Sequence, residues 1–158
     1  MTAQIRLVEI TDDNRDAVTA VRVLPGQERF VASVEDSFRH ARENPEAKPW
    51  FRAVYDGDEP VGFVMLSWNL TPRPGLRGPY FLWRLLVGAG RQGRGYGTAI
   101  LDEVVALLRA AGATELITSC VPGEDSPEPF YRRYGFVPNG ETDEDGEVIL
   151  TLDLSTRP

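Results

Sequence analysis

The sequence predicts an α/β (α+β) chain of about seven strands and about four helices in the order βααβββαβαββ. Three observations carry the prediction. Short alternating or apolar runs are separated by amphipathic stretches at helical spacing. A hairpin signal, Asp56-Gly57-Asp58-Glu59, joins two of those runs. The strand ending Leu85-Leu86-Val87 runs through a loop with five glycines, Gly88 to Gly97, straight into an apolar helix that reaches Ala111. With 158 residues the chain is expected to form one domain, 1–158, around a single core.

Ile5-Arg6-Leu7-Val8-Glu9-Ile10 alternates and predicts the first strand. Thr11 to Asn14 supply N-cap residues for a helix running to about Val21, with Ala17, Val18 and Val21 on one face. After Pro25-Gly26, the residues Phe30, Val31, Val34, Phe38 and Ala41 recur at helical spacing and predict a second helix ending near Asn44-Pro45. Its polar residues include Glu28, Glu35, Asp36 and the only histidine, His40. Trp50 to Tyr55 and Val61 to Trp68 are strands; Asn69 to Gly78, rich in glycine and proline and carrying Arg73 and Arg77, is a loop. Pro79 to Val87 is apolar on both faces, as a central strand is, except for Arg84. The helix after the glycine loop packs through Ile100, Leu101, Val104, Val105 and Leu108, and Gly112 stops it. Glu115 to Val121 is the fifth strand, and the turn Pro122 to Pro127 opens a short helix through Tyr134. Phe136-Val137 begins a strand, Asp143 to Gly146 is a turn, and Val148 to Leu154 is the last strand.

The glycine loop carries the first functional reading. Glycine lets backbone amides approach a ligand closely and take positive φ. A helix start has unpaired N–H groups and a partial positive charge. Together they cradle a phosphate or pyrophosphate, and Arg91 and Arg94 add charge. No Gly-Lys-Ser/Thr follows, so the loop is not a P-loop. Gly88-Ala89-Gly90-Arg91-Gln92-Gly93 fits G-x-G-x-x-G, but the unit sits mid-chain and the next strand ends Thr118-Ser119-Cys120 without the acid of a dinucleotide site.

Gln92-Gly93-Arg94-Gly95-Tyr96-Gly97 instead follows Q-x-x-G-x-G, and Phe130-Tyr131-Arg132-Arg133-Tyr134-Gly135-Phe136 follows F-Y-x-x-x-G-F. With these two strings in this order the chain resembles the GNAT superfamily of acyl-CoA-dependent N-acetyltransferases. The resemblance implies a mixed, mostly antiparallel sheet flanked by helices. It implies acetyl-CoA as cosubstrate and no metal. The pyrophosphate would lie on Gln92, Gly93, Arg94, Gly95, Tyr96, Gly97 and Thr98. The thioester arm would pair like an added strand with the main chain of Leu85, Leu86 and Val87, where the strand splays from its neighbour. Softer likenesses at Gln27 to Ser33, Pro60 to Met65, Trp83-Arg84-Leu85 and Pro122 to Tyr131 are similar to the bacterial spermine/spermidine (diamine) acetyltransferase branch, which implies a polyamine acceptor.

Transfer to an amine needs a proton removed, because alkylammonium groups titrate near lysine's pKa of about 10.4. It needs an N–H for the developing oxyanion and a proton for the departing thiolate, for which a tyrosine of pKa about 10 is a matched donor. Tyr131 fills the slot of the family's acid tyrosine, with a packed aromatic as the alternative; Tyr134 stands where a core aliphatic is usual. The base is unassigned, with ordered water or an acid residue elsewhere as the fallback. Phe81 occupies the slot where some relatives carry a glutamate, and His40 is either a base or a solvated surface histidine. Glu124 stands near a slot where many relatives have asparagine. Arg84 either grips a carboxylate on the acceptor or pairs with an acid inside the cleft. Cys120 is a buried small residue or, less directly, an acetyl relay. Glu28, Glu35, Asp36, Glu124 and Asp125 offer carboxylates to a polycation or serve as solvated surface charge. Of these, Glu35, Arg84 and Glu124 are the candidate substrate contacts.

Net charge is −7, which disfavours nucleic acid or an anionic membrane as partner and is compatible with a cationic substrate, though solubility alone explains it as well. The single cysteine permits no internal disulfide, and the N-terminal residues show no secretory signal. The longest apolar run, Pro79 to Gly90, is too short to span a bilayer. A cytoplasmic protein is expected, and dimers are common in families of this kind. A different acceptor (an antibiotic amine, an amino acid, a protein N-terminus) or a non-catalytic acyl-CoA-binding module are the alternative readings.

Overall fold

The computed structural model describes residues 4–25, 32–123 and 126–155. Seven strands form one sheet: β1 (Arg6–Val8), β2 (Pro49–Asp56), β3 (Glu59–Ser67), β4 (Phe81–Val87), β5 (Glu115–Cys120), β6 (Val137–Thr142) and β7 (Val148–Asp153). Four helices accompany it: α1 (Arg15–Thr19), α2 (Val34–Glu43), α3 (Tyr96–Ala110) and α4 (Glu128–Tyr134). The order across the sheet is β1-β2-β3-β4-β5-β7-β6, and every pair is antiparallel except β4–β5. The expected order of elements and the mixed, mostly antiparallel sheet are both present.

Each face of the sheet buries its own helices. Val64, Leu66, Leu82, Leu116, Leu150 and Leu152 pack with Ile100, Leu101, Val104 and Leu108 of α3 and with Tyr131 of α4. Ala53, Phe63, Met65 and Leu86 pack with Val18 of α1 and Val34, Phe38 and Ala41 of α2. The α3 stripe is the one its periodicity predicts.

Element boundaries differ from expectation where side chains cap or cannot pair. The Ser33 hydroxyl accepts the Asp36 N–H at 3.0 Å, so α2 starts at Val34; the expected start at Phe30 lies outside the described residues. A 3-10 turn, Pro45–Ala47, follows α2. β4 starts at Phe81 because Pro79 has no N–H to give a ladder. The Asp56↔Glu59 register confirms the two-residue hairpin, with Gly57 at φ 61°.

The central irregularity is at Trp83. Met65 faces Arg84 and Leu66 faces Leu82, so Trp83 is an extra residue, a bulge, in β4. On its other edge β4 pairs with β5 only at Phe81↔Ile117 and Leu82↔Thr118. Beyond the bulge the two strands part, while β3 stays paired with β4 to Val87.

The β3–β4 contact is tight where Gly62 faces Val87: a Cβ on Gly62 would stand 2.4 Å from the Leu86 carbonyl oxygen. That obstacle is backbone and cannot rotate away. Gly62→Ala is expected to lower unfolding free energy by about 1–3 kcal/mol, at the overpacking scale, read as a lower urea midpoint; an unchanged midpoint would refute the constraint.

Candidate active site

The loop after β4 is folded back by main-chain bonds. Gly88 N–H donates to the Val61 carbonyl at 2.8 Å, Ala89 N–H to Arg22 at 2.7 Å and Arg91 N–H to Gly88 at 2.9 Å. The Gln92 side-chain amide donates to the Val87 carbonyl at 3.0 Å. Gly93 and Gly95 have φ of 78° and 83°, and Gly95 is the N-cap of α3 without any side-chain cap. A Cβ at either glycine would meet open space, so positive φ is the reason for glycine there. The N–H groups of Tyr96, Gly97 and Thr98 have no intrahelical acceptor at this helix start. Gly97 serves a different purpose: a Cβ would lie 2.9 Å from the Phe130 ring, so its absence lets α4 pack against the start of α3.

A cavity of about 670 Å³ extends from this helix start into the β4–β5 gap. Gln92, Gly95 and Thr98 line one end; Leu85, Val87, Ser119 and Tyr131 line the gap. In an antiparallel ladder bonded and non-bonded residues alternate. Because Gly88 is bonded to Val61, the alternation turns the main chain of Leu85 and Val87 toward the gap and that of Leu86 toward β3. Leu86 also buries its side chain on the α1/α2 face. The main chain of Leu85 and Val87 thus faces the gap, where the Gln92 amide already takes the Val87 carbonyl, and that of Leu86 faces β3.

A second cavity of about 820 Å³ lies on the α2 face, lined by His40, Phe81, Trp83, Arg84, Ile117 and the acidic turn Asp143, Glu144 and Asp145, among others. Trp83 lines both cavities. The Trp83 indole N–H donates to the Ser67 hydroxyl at 2.6 Å, which holds the ring at the junction.

Tyr131 is buried, with ring neighbours Phe130 at 5.4 Å and Phe136 at 5.3 Å between centroids. Burial pushes its phenol well above the usual tyrosine range, and Cys120 adds to this while the Thr118 side chain pulls the other way. The phenol therefore stays protonated throughout the physiological range. Tyr134 faces away from the cavity and donates to Asp102 of α3 at 2.7 Å. Burial likewise pushes the Cys120 thiol up to about 11, with Glu128 adding to it. A thiol so held is not a nucleophile at neutral pH, which removes the acetyl-relay reading.

Of the two readings of Arg84, the ion pair with an acid inside the cleft is not formed at contact distance. No carboxylate lies within ion-pair distance of it among the described residues. Its guanidinium donates to the Trp83 carbonyl at 3.0 Å and meets His40 Nδ1 at 2.9 Å, and its buried Nε has no partner. Arginine only donates, so Nδ1 carries the lone pair and the ring proton is on Nε2. Burial and then Arg84 hold the His40 pKa below its ordinary value. His40 is thus a neutral, half-buried partner of Arg84 rather than a solvated surface histidine, and its one lone pair is already used.

The structure spreads the remaining expected residues widely. Tyr96 lines the first cavity while its hydroxyl donates to Asp56, and its pKa rises chiefly through that bond. Arg91 lines the first cavity while donating to Glu59. Arg94 is exposed and lines neither cavity. Glu35 is exposed and lines neither cavity, because it sits one residue off the buried Val34–Phe38–Ala41 stripe. Glu28, Glu124 and Asp125 lie outside the described residues. Ser119, Phe130, Arg133 and Trp83 line the first cavity without having been singled out. Arg133 falls in the F-Y-x-x-x-G-F string, where only the spacing drew notice. Trp83 depends on a bulge that no pattern announces.

Residues 8–136 match the model of the Acetyltransferase (GNAT) family. The chain is 29% identical over 154 residues to the spermine/spermidine N(1)-acetyltransferase of Bacillus subtilis (strain 168), covering 95% of this chain and 99% of the relative. Among solved structures it is similar to an acetyltransferase from Thermus thermophilus, with TM-score 0.71, 20% identity, and 97% and 99% of the two chains covered. It is also similar to a PaiA N-acetyltransferase from Thermoplasma acidophilum in complex with coenzyme A, with TM-score 0.66, 16% identity, and 95% and 99% covered. No helix among the described residues is long and apolar enough to cross a membrane.

The environment of Tyr131 has a spectroscopic consequence. The difference in ultraviolet titration between the protein and its Tyr131→Phe variant should contain no phenolate signal below pH about 10, the ordinary tyrosine value. Because the folded phenol titrates above the unfolded one, its contribution to stability is intact below that pH and is lost as pH rises beyond it. A phenolate appearing in the difference near pH 9 would contradict the buried placement.

Proposed function

The chain belongs to the GNAT acetyltransferase family, and from that premise we propose that it moves an acetyl group from acetyl-CoA to a primary amine of a small molecule, a polyamine, with Tyr131 as general acid. One observation carries the reading: the cavity that begins at the uncapped start of α3 continues through the β4–β5 gap to Tyr131. The residues present fit the cosubstrate. Free helix-start N–H groups behind Gly93 and Gly95 suit a pyrophosphate. The gap edge at Leu85 and Val87 suits an amide-bearing arm that adds as a strand. Acetyl-CoA supplies the activated acyl group, and a protonated phenol beside the gap suits the leaving sulfur.

The polyamine acceptor draws support from the activity for which the Bacillus subtilis relative is named and from the second cavity. Asp143, Glu144 and Asp145 on its wall attract distal ammonium groups. Arg84, a fixed cation at the bulge, disfavours a charged amine beside it, and a neutral amine is the form that attacks.

Acetyl-CoA is expected to raise the melting temperature of the protein, and spermidine or another amine of a panel to release thiol from it. Tyr131→Phe should lower turnover by about tenfold or more, the scale of general-acid catalysis, with the acetyl-CoA thermal shift kept. Unchanged turnover would remove Tyr131 from the chemistry, and a thermal shift with no thiol release from any amine would favour a binding module.

A further inference from the structure

The acetyl-transfer reading, on which this inference rests, leaves the acceptor's proton without a taker. Phe81 has no basic atom, and the His40 lone pair is used by Arg84. We propose that the Ser119 hydroxyl and the Glu147 carboxylate form a proton relay that deprotonates the acceptor amine at the mouth of the β4–β5 gap.

Ser119 is the first β5 residue past the last β4 pairing, Leu82↔Thr118. It therefore faces the bulge at Trp83 across the opening. Its β7 partner is Ile149. Ile149 and Ile117 line the second cavity, and the period of two puts Ser119 on their face of the sheet. Ser119 also lines the first cavity, as does Trp83, the residue the two cavities share. Thr118 and Cys120 point to the other face, where Tyr131 lies. Base and acid thus occupy opposite faces of one gap, as attack from one side and departure from the other require.

The Ser119 hydroxyl donates to Glu147 Oε1 at 3.1 Å. That leaves the hydroxyl's lone pairs to accept from an ammonium. Glu147 is half-buried, and its main chain is pinned to Asp143: its N–H donates to Asp143 Oδ1 at 2.9 Å, and its carbonyl accepts the Asp143 N–H at 3.0 Å. The charged and titratable groups around it are Arg84 from β4, Cys120 from β5, and Asp143 and Asp145 of its own turn, whose oxygens lie within 4.8 Å of its own. In the step, an ammonium proton passes to Ser119 Oγ as the Ser119 proton passes to Glu147. The nitrogen lone pair then forms the N–C bond and the C–S bond breaks. Tyr131 gives its proton to sulfur, the new amide nitrogen sheds its second proton to solvent, solvent reprotonates the Tyr131 phenolate, and Glu147 returns its proton to solvent, so one proton is released per turnover.

Thiol release from acetyl-CoA with spermidine, or with the fastest amine of the panel, is followed from pH 6 to 10. Glu147→Gln should lower kcat/KM for the amine by about tenfold or more at pH 7. The loss should shrink toward pH 10, where the amine deprotonates unaided. The acetyl-CoA thermal shift should be unchanged. Ser119→Ala should reproduce this profile, Ser119→Thr should restore the rate, and the double variant should be no worse than the poorer single one. A wild-type rate in Glu147→Gln at pH 7, or an equal loss at every pH, overturns the relay. A wild-type protein that shifts with acetyl-CoA yet releases thiol with no amine overturns the acetyl-transfer reading, and the relay with it.

Discussion

The extra residue in β4 is the constraint on which the rest of the molecule turns. With Trp83 inserted, β4 keeps its full ladder to β3 but only two pairings to β5. A sheet normally leaves no such opening, since unpaired backbone groups away from water are costly. Here the opening is bounded by groups with other uses. The Thr118 hydroxyl donates to the Leu82 carbonyl at 3.1 Å just below it, and the Gln92 amide takes the Val87 carbonyl above it. What remains at Leu85 is an edge inside the protein, reached from both faces.

The glycines of the loop divide their work. Gly93 and Gly95 are needed for backbone conformation in open space, and Gly97 for a contact between helices. The two arginines of the loop do not act as a pair: Arg91 is held by Glu59 and Arg94 is exposed. Oriented main-chain dipoles at the α3 start add to the charge of Arg91 and Arg133, which line the same cavity.

Electrostatics differ between the two faces of the gap. On the α3/α4 side burial keeps the Tyr131 phenol and the Cys120 thiol protonated. On the α2 side Arg84 is a cation whose direct partners, a carbonyl and a neutral imidazole, leave its charge uncompensated at contact distance. Such a charge is costly to bury, and it shares a cavity with the acidic turn Asp143 to Asp145.

Local pattern was enough for the element order, the hairpin at Gly57, the α3 stripe and the strand–loop–helix unit at the glycines, because periodicity and turn chemistry are properties of neighbouring residues. The same holds for the two motif strings, whose spacing marked Gly95 and Tyr131. Fold-level packing set the rest. No run of residues reveals that Trp83 bulges, that Leu86 faces away from the gap, or that Arg84 meets His40 across 44 positions of chain. Glu147 escaped notice because it follows a turn and has no apolar period. It became a candidate only when pairing of β5 with β7 set it beside Ser119, and that pairing depends on long-range register, which local sequence does not encode.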